Sequence, residues 1–160
     1  MKIAYIIPKP SNTGPILVVL ELVKEMSRHG HNCTVYHFDK GDEIIFPCRT
    51  QQISFFQKIN FDHFDIIHTH GLRPDCYIFL HKPLKSKTLF ITTLHNYIIP
   101  DFSYQYNKFI AYTIGNLWML GIRRHDKIVT LSQDAMKYYQ RRLPLQKLTY
   151  AYNTRSCLLY

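Results

Sequence analysis

The sequence is short of glycine and of long apolar runs, and each shortage excludes a class of protein. Six glycines are spread over 160 residues, without the spacing of a dinucleotide fingerprint and without a P-loop lysine and hydroxyl pair. The opening apolar run covers only residues 3–7, which is too short for a signal peptide, and no later run approaches the ~18 residues of a spanning helix. We therefore expect neither a dinucleotide-binding enzyme nor a protein that crosses a membrane.

Cysteine is also scarce. The four cysteines, at positions 33, 48, 76 and 157, form no C-x-x-C pair and have no zinc-finger spacing. Cys33 and Cys76 lie in apolar segments, as reduced cysteines in protein cores do. The sequence therefore predicts a cytoplasmic protein without a disulfide framework.

Acidic residues are few only in the second half of the chain. Residues 1–80 contain eight Lys/Arg and eight Asp/Glu, whereas residues 81–160 contain twelve and three. The formal net charge of +9 therefore arises in the second half, which favours an anionic partner or surface there. The alternative is a solvated basic face without a partner.

The sequence does contain a regular alternation of strand and helix patterns. Apolar runs typical of buried strands cover residues 3–7, 33–38, 65–69, 88–94, 127–132 and 147–152. Helical patterns cover residues 16–30, 73–82, 103–124 and 133–143, with a short helix expected around 54–59. This alternation predicts one α/β domain over residues 1–160, an open, Rossmann-like parallel sheet of about six strands with helices on both faces.

Polar clusters follow four of the predicted strands. In open parallel sheets, ligands bind beyond the carboxyl ends of the strands, so we expect these loops to form one site. Gly14 in the first loop would let a ligand approach the backbone, and the helix behind it would offer free N–H groups to an anion; an ordinary turn is the alternative. The clusters are Asn12-Thr13-Gly14, His68-Thr69-His70-Gly71, His95-Asn96 and Ser132-Gln133.

The stretch 65–71 reads DIIHTHG and places two histidines where a strand ends. The two-residue period of a strand puts both imidazoles on the same face of the sheet. A metal ion would need further ligands, and His95 could supply one, but carboxylates are scarce nearby and we expect no metal site. We expect His68 to be a buried structural histidine and His70, close to Arg73, to face the cleft.

Ser132 is a candidate nucleophile at the same edge. A nucleophile elbow needs flanking glycines, and none flank this serine. We therefore expect Ser132 to cap the helix that follows it, with Gln133 in the first turn.

Several stretches, in chain order, together carry a family resemblance. They are MKIAYIIP with the NTGP turn (12–15), RHGH (28–31) before CTVYHF, DIIHTH (65–70), TTLHN (92–96), HDKIVTLS (125–132) and the pair Tyr152-Asn153. Their order resembles the N-terminal domain of family-four retaining glycosyltransferases, which have the GT-B fold of two facing Rossmann-like domains. The pair Tyr152-Asn153 resembles the segment where, in that family, the chain crosses from the first domain toward the second.

The resemblance implies the acceptor-binding half of an enzyme that moves a sugar, without a metal or other cofactor, from a nucleotide-sugar donor to a glycan or lipid-linked acceptor. Synthesis of a cell-surface polysaccharide or glycolipid is the implied setting. The resemblance makes His95 the catalytic residue, beside the reacting sugar. The substrate-binding residues expected from the strand ends and the resemblance together are Asn12, Thr13, Gly14, His70, Arg73, Asn96, Ser132, Gln133 and Asn153.

The chain departs from the family pattern in three ways. Gly14 is a lone glycine in a turn that often has two, and Asn96 stands where the family has Asp, so no carboxylate is available there. The donor-binding C-terminal domain, with its basic pair and two glutamates, has no counterpart in these 160 residues. We therefore expect a half-enzyme that transfers no sugar alone and needs a donor domain in cis or in trans. The alternative is a stand-alone binding module of Rossmann-like fold for an anionic ligand or nucleic acid, and the lack of an RNA-binding motif argues against nucleic acid.

Residues 101–124 combine aromatic side chains with a closing Arg123-Arg124 pair. This composition suits a helix that lies on an anionic lipid surface, which would place the protein peripherally on the inner face of the membrane. The alternative is a helix packed into the core, because the stretch is apolar all round.

Overall fold

A single seven-stranded parallel sheet forms the centre of the protein in the computed structural model, which describes residues 1–41 and 43–153. The strands lie in the order β3-β2-β1-β4-β5-β6-β7, and every neighbouring pair is parallel. This confirms the predicted Rossmann-like class. The strands are β1 (Lys2–Ile7), β2 (Asn32–His37), β3 (Arg49–Gln52), β4 (Ile66–His70), β5 (Leu89–Leu94), β6 (Lys127–Thr130) and β7 (Leu148–Tyr150).

Helices cover both faces of the sheet, because the strands are apolar on both sides. In β1, Tyr5 and Ile7 pack with Val19 of the first helix, whereas Ile6 packs on the opposite face with Ile78 of the second. The third, fourth and fifth helices share the face of the second. The helices are α1 (Gly14–Arg28), α2 (Leu72–His81), α3 (Ile98–Gln105), α4 (Lys108–Ile122) and α5 (Gln133–Tyr139).

The face that α1 covers is only partly closed. Among the described residues, α1 is the one helix on this face, and it packs over β1 and β2. On the same side of β5 and β6, Ile91, Val129 and Leu131 are only half-buried. Apolar side chains of the sheet therefore line an open groove beside α1.

The strand β3 was not predicted from the sequence. Its residues, RTQQ, are mostly exposed, and the strand pairs with β2 alone. An edge strand of this kind is held by backbone hydrogen bonds, and its sequence has no alternation of apolar residues from which the strand could be predicted.

Two predicted helices were wrong. Residues 54–59 form no helix; a turn lies at 55–56, and the hydroxyl of Tyr77 holds this segment by donating to the Gln57 carbonyl at 2.7 Å. The predicted helix over 103–124 is two helices, α3 and α4. Asn107 separates them because its side chain accepts a hydrogen bond from the backbone N–H of Ile110 at 2.8 Å and thereby starts a new helix.

A buried carboxylate joins two helices to the centre of the sheet. Asp75 of α2 is fully buried. Its Oδ1 lies 2.5 Å from the Thr69 hydroxyl oxygen of β4, within hydrogen-bond distance, and its Oδ2 accepts a hydrogen bond from Trp118 Nε1 of α4 at 2.7 Å. His125, which lies between α4 and β6, contacts the same Thr69 hydroxyl through Nε2 at 3.0 Å, and its Nδ1 lies 3.2 Å from the Ile122 carbonyl oxygen.

The network is fully hydrogen-bonded when Asp75 and His125 together hold one additional proton, and the raised pKa of Asp75 lets the folded chain bind that proton below about pH 6. Nδ1 of His125 must donate to a carbonyl, so Nε2 is an acceptor in the neutral ring. Thr69 has one hydroxyl proton for three neighbours, which are Asp75 Oδ1, His125 Nε2 and, at 3.2 Å, the Ile91 carbonyl oxygen. Either the carboxyl is protonated and donates to Thr69, or the imidazole is charged and donates to it. Burial favours the first arrangement, because it raises the pKa of Asp75 to about 6 and lowers the pKa of His125 to about 3. Both arrangements leave the pair without net charge.

Replacing Asp75 by asparagine should make the protein more sensitive to acid while leaving the network hydrogen-bonded. Between about pH 4 and 6 the unfolded chain binds a proton at His125, whose ordinary pKa is about 6.5, and the folded chain binds one at Asp75, so the two cancel. In Asp75→Asn only the unfolded chain gains that proton. The free energy of unfolding should therefore fall, relative to wild type, by about 1.4 kcal/mol for each pH unit below about 6.

Chemical denaturation at pH 7, 6 and 5 measures this slope. The matched control is Asp62→Asn, which removes a carboxylate at an exposed position and should leave the slope unchanged. Parallel pH profiles for Asp75→Asn and wild type would disprove the shared proton.

Candidate functional site

Four rings form a row on the α1 face of the sheet and end at its carboxyl edge. They belong to Tyr5, His68, His70 and His95, with ring centroids 5.7 Å apart for Tyr5–His68, 4.3 Å for His68–His70 and 5.2 Å for His70–His95. Strand register produces the row, because Tyr5 of β1 pairs with His68 of β4, while His95 directly follows β5. The prediction that both histidines of DIIHTHG share one face is confirmed.

Hydrogen bonds tie this row to β5. His68 Nε2 lies 2.7 Å from the Thr93 hydroxyl, and His70 Nδ1 lies 2.9 Å from His95 Nε2. The Nε2 atom of His70 is buried and has no hydrogen-bond partner among the described residues. The predicted catalytic residue therefore contacts a predicted substrate-binding residue directly.

The burial predicted for the two β4 histidines was wrong: we expected His68 to be buried and His70 to face the cleft. His70 is 1% exposed, whereas His68 is half-buried and lines the groove beside α1. The cause is that β4 continues through His70, so this residue is still part of the sheet and its side chain is covered by the rings of His68 and His95. His68 lies nearer the part of the sheet that α1 leaves open.

The three imidazoles are uncharged at neutral pH. Burial lowers the pKa of His68 to about 3 and that of His95 to about 4, and it holds the pKa of His70 well below its usual 6.5. Mutual repulsion between charged rings would lower the values for His68 and His70 further. The row can donate and accept hydrogen bonds, but it supplies no positive charge to an anion.

The loops after β1 and β4 meet at the point where the strand order reverses. A Cβ added at Gly71 would lie 3.6 Å from Pro8, and Gly71 has a φ of +102°, a conformation that favours glycine. Arg73 forms a 2.7 Å ion pair with Asp39 of the β2 loop, with both side chains substantially exposed. These contacts place the predicted Arg73 beside the first loop.

The first loop leaves Gly14 open to solvent. A Cβ at Gly14 would meet nothing within 4 Å, and the Thr13 side chain makes no capping hydrogen bond to α1. The backbone N–H of Asn12 donates to a carboxylate oxygen of Glu43 at 2.6 Å. An acidic side chain thus already lies against the loop where an anion was expected.

The remaining predicted residues lie at the ends of β5, β6 and β7. The Asn96 side chain donates to Asp101 at 3.2 Å. Ser132 accepts a hydrogen bond from the Ala135 N–H at 3.0 Å, which confirms it as the cap of α5, and Gln133 is the exposed first residue of that helix. No hydrogen bond or ion pair among the described residues links Gly14, Arg73, Asn96, Ser132 or Gln133 to His95.

A groove of about 470 Å³ lies on the α1 face of the sheet. It is lined by the predicted Asn153, by His68, which we expected to be a structural histidine, and by Thr93, which the sequence did not indicate as a site residue. The signal for Thr93 was its register, since it pairs with His70 across β4 and β5. The groove is lined by Val18, Glu21, Leu22, Glu25, His68, Thr93, Val129, Leu131, Ala151, Tyr152 and Asn153.

Residues 1–41 and 43–153 contain neither a cluster of metal ligands nor a helix able to span a membrane. No group of three or more His, Cys, Asp or Glu side chains there is arranged to hold a metal ion. None of the helices in this part of the chain combines the length and the apolar character needed to cross a membrane.

The sequence matches known proteins across most of its length. Residues 46–154 match the profile described as Glycosyltransferase Family 4. Two curated proteins from Escherichia coli, both named O-antigen biosynthesis glycosyltransferase WclY, are 35% identical over 159 residues, which is 96% of this chain and 44% of theirs. The chain thus spans less than half the length of these relatives. Because the family profile covers more than half of the chain, and because the fold is the parallel α/β sheet expected of one GT-B half, the chain belongs to glycosyltransferase family 4.

Proposed function

We propose that this chain is the acceptor-side half of a retaining glycosyltransferase that uses a nucleotide sugar to build a cell-surface polysaccharide. One observation carries the proposal: the uncharged, half-buried His95 stands at the carboxyl end of β5, next to the β1–β4 reversal where open α/β sheets bind ligands. The name of the E. coli relatives supports an O-antigen type of acceptor. In this proposal His95 contacts the reacting sugar, and Asn12, Thr13, Gly14, His70, Arg73, Asn96, Ser132, Gln133 and Asn153 surround the substrates.

The charge distribution supports the need for a second, donor-binding half. Departure of a nucleoside diphosphate builds negative charge that a catalyst must stabilise. The histidine row is neutral, Arg73 is already paired with Asp39, and Glu43 lies against the first loop. We infer that the stabilising cations come from a donor domain, in cis or in trans.

The open groove beside α1 also supports the proposal of a second domain. Val129 and Leu131 remain half-buried there, although parallel sheets are normally covered on both faces. The chain spans 44% of the relatives' length, so these proteins have more than enough additional residues to cover such a face.

The 160-residue chain alone should transfer no sugar. Without the donor half, the leaving diphosphate is not held and water reaches the reacting centre. The measurement is transfer from radiolabelled nucleotide sugars to a lipid-linked oligosaccharide acceptor. Sustained turnover by the purified chain would overturn the half-enzyme proposal.

Joining the chain to the C-terminal part of an E. coli WclY relative should restore transfer, and His95→Ala should then remove most of it. Loss of one group that contacts the transition state typically costs about 10²- to 10³-fold in turnover. The matched control is His63→Ala, an exposed histidine away from the strand ends, which should leave turnover unchanged. Binding of an anionic ligand by the 160-residue chain alone, together with no turnover in the joined protein, would instead favour a stand-alone binding module.

We also propose that the protein works in the cytoplasm, peripherally on the inner face of the membrane. The helix α4 buries one side, including Ala111 and Met119, and exposes an apolar stripe on the other. In that stripe Phe109 is 78% and Leu117 is 67% exposed. The helix is therefore packed against the protein on one side only, and its outer side fits the apolar layer of a bilayer.

Charge favours an anionic lipid surface as the partner of this stripe. The second half of the chain carries twelve Lys/Arg and three Asp/Glu. Exposed Lys108 begins α4, and exposed Arg123 follows its last residue. Apolar insertion and electrostatic attraction would then act on the same surface.

Sedimentation with phosphatidylglycerol vesicles tests the membrane proposal. The protein should bind these vesicles, binding should weaken as salt is raised, and pure phosphatidylcholine should bind it poorly. The double variant Phe109→Ser/Leu117→Ser should reduce binding at least about ten-fold, because it removes two inserting side chains. The control Leu84→Ser, at a 99% exposed leucine outside α4, should bind as wild type. Equal binding by both variants would reject α4 as the contact.

A further inference from the structure

The contact between His70 and His95 constrains which nitrogen of each ring carries a proton. His70 Nδ1 and His95 Nε2 are 2.9 Å apart, so one of them donates and the other accepts. Neither ring is charged at neutral pH, because burial lowers both pKa values. Each ring therefore carries a single proton.

The enclosed nitrogen of His70 decides the direction of this hydrogen bond. Nε2 of His70 is buried and has no partner among the described residues. A buried N–H without an acceptor is among the rarest defects of folded proteins, and an unused acceptor is tolerated more readily. The proton of His70 therefore belongs on Nδ1, from which it is donated to Nε2 of His95.

This assignment fixes the tautomer of His95. Its Nε2 accepts from His70, so its own proton lies on Nδ1. No hydrogen bond of that Nδ1 is found among the described residues, and the His95 ring is half-buried rather than enclosed. The ring therefore has an unused N–H at the carboxyl edge of the sheet.

We propose that His70 is a positioning residue that holds His95 in its Nδ1–H tautomer, so that His95 donates a hydrogen bond to an oxygen of the bound substrate. A sugar hydroxyl and a phosphate oxygen share the required acceptor chemistry. The tautomer itself follows from the folded chain, and only the identity of the ligand rests on the proposed function.

Packing keeps the two rings in this arrangement. The His70 ring lies between His68, with centroids 4.3 Å apart, and His95, at 5.2 Å. Tyr5 lies 6.5 Å from the His70 ring on the same face. A ring enclosed on several sides cannot turn to offer its other nitrogen without displacing these neighbours. His95 is thus oriented by the neutral imidazole of His70, whereas many catalytic histidines are oriented by a carboxylate.

Nitrogen-15 NMR of the histidine side chains tests the tautomer on the chain alone. The two-bond proton correlations of His95 should show a protonated Nδ1 and an unprotonated Nε2 at pH 7, and a His95→Gln spectrum identifies its signals. Nε2 protonation of His95 in the unaltered chain would overturn the proposal.

Two substitutions at His70 separate positioning from packing. His70→Asn keeps an N–H donor near the position of Nδ1, whereas His70→Phe keeps a planar ring and removes the donor. We expect His70→Asn to retain the Nδ1–H form of His95 and His70→Phe to shift it toward Nε2–H. Thermal unfolding of both variants reports on packing. An unchanged tautomer in a folded His70→Phe would contradict the proposal.

The joined protein described above supplies the functional test. There, His70→Phe should lower kcat at least about ten-fold with little change in donor KM, and His70→Asn should restore most of the loss. If His95→Ala has no effect while the NMR tautomer is as expected, the proposed function fails and the positioning role stands. If His95→Ala abolishes turnover but His70→Phe leaves both turnover and tautomer unchanged, the positioning role fails and the proposed function stands.

Discussion

The buried carboxyl group of Asp75 ties the helices α2 and α4 to the centre of the sheet. A carboxyl group in the core is tolerated only when its oxygens are hydrogen-bonded, and Thr69 and Trp118 meet that need from β4 and α4. Thr69 lies between the two histidines of β4, with its side chain on the opposite face of the strand. The hydrogen bonds of Thr69 therefore fix the backbone of β4, and this backbone determines where His68 and His70 lie on the other face. The polar network on the α2 face of the sheet thus supports the site on the α1 face.

The site that results is polar but uncharged. Burial keeps the histidines neutral, and Arg73, the cation predicted for this site, is compensated by Asp39. Such a surface can recognise hydroxyl groups by direction, since each imidazole has one donor and one acceptor. It is poorly suited to hold a diphosphate by charge. Under the proposed function, this domain orients the substrates and a separate donor domain supplies the positive charge.

The sequence predicted what depends on apolar periodicity and missed what depends on polar contacts. Six strands followed from apolar runs, whereas β3 pairs through its backbone and leaves no such trace. The division of 103–124 into two helices depends on the side chain of Asn107, whose capping role competes with an apolar pattern that continues through it. Among the site residues, same-face placement of His68 and His70 followed from strand period. The burial of the two histidines could not be predicted from the sequence, because it depends on how much of the sheet α1 covers.

The strand order also bears on how the chain folds. Synthesis supplies β1, β2 and β3 first, and these grow from β1 toward one edge; from β4 onward each strand adds to its predecessor toward the other edge. Among the described strands, the β1–β4 pairing joins the segments that are furthest apart in sequence, as in the pair Ile3 and Ile66, so closing that loop is the slow entropic step. Until β4 arrives, the central strand of the finished sheet is an unpaired apolar edge. That edge is open to pairing with another chain, which makes the nascent N-terminal third the segment most in need of protection from aggregation.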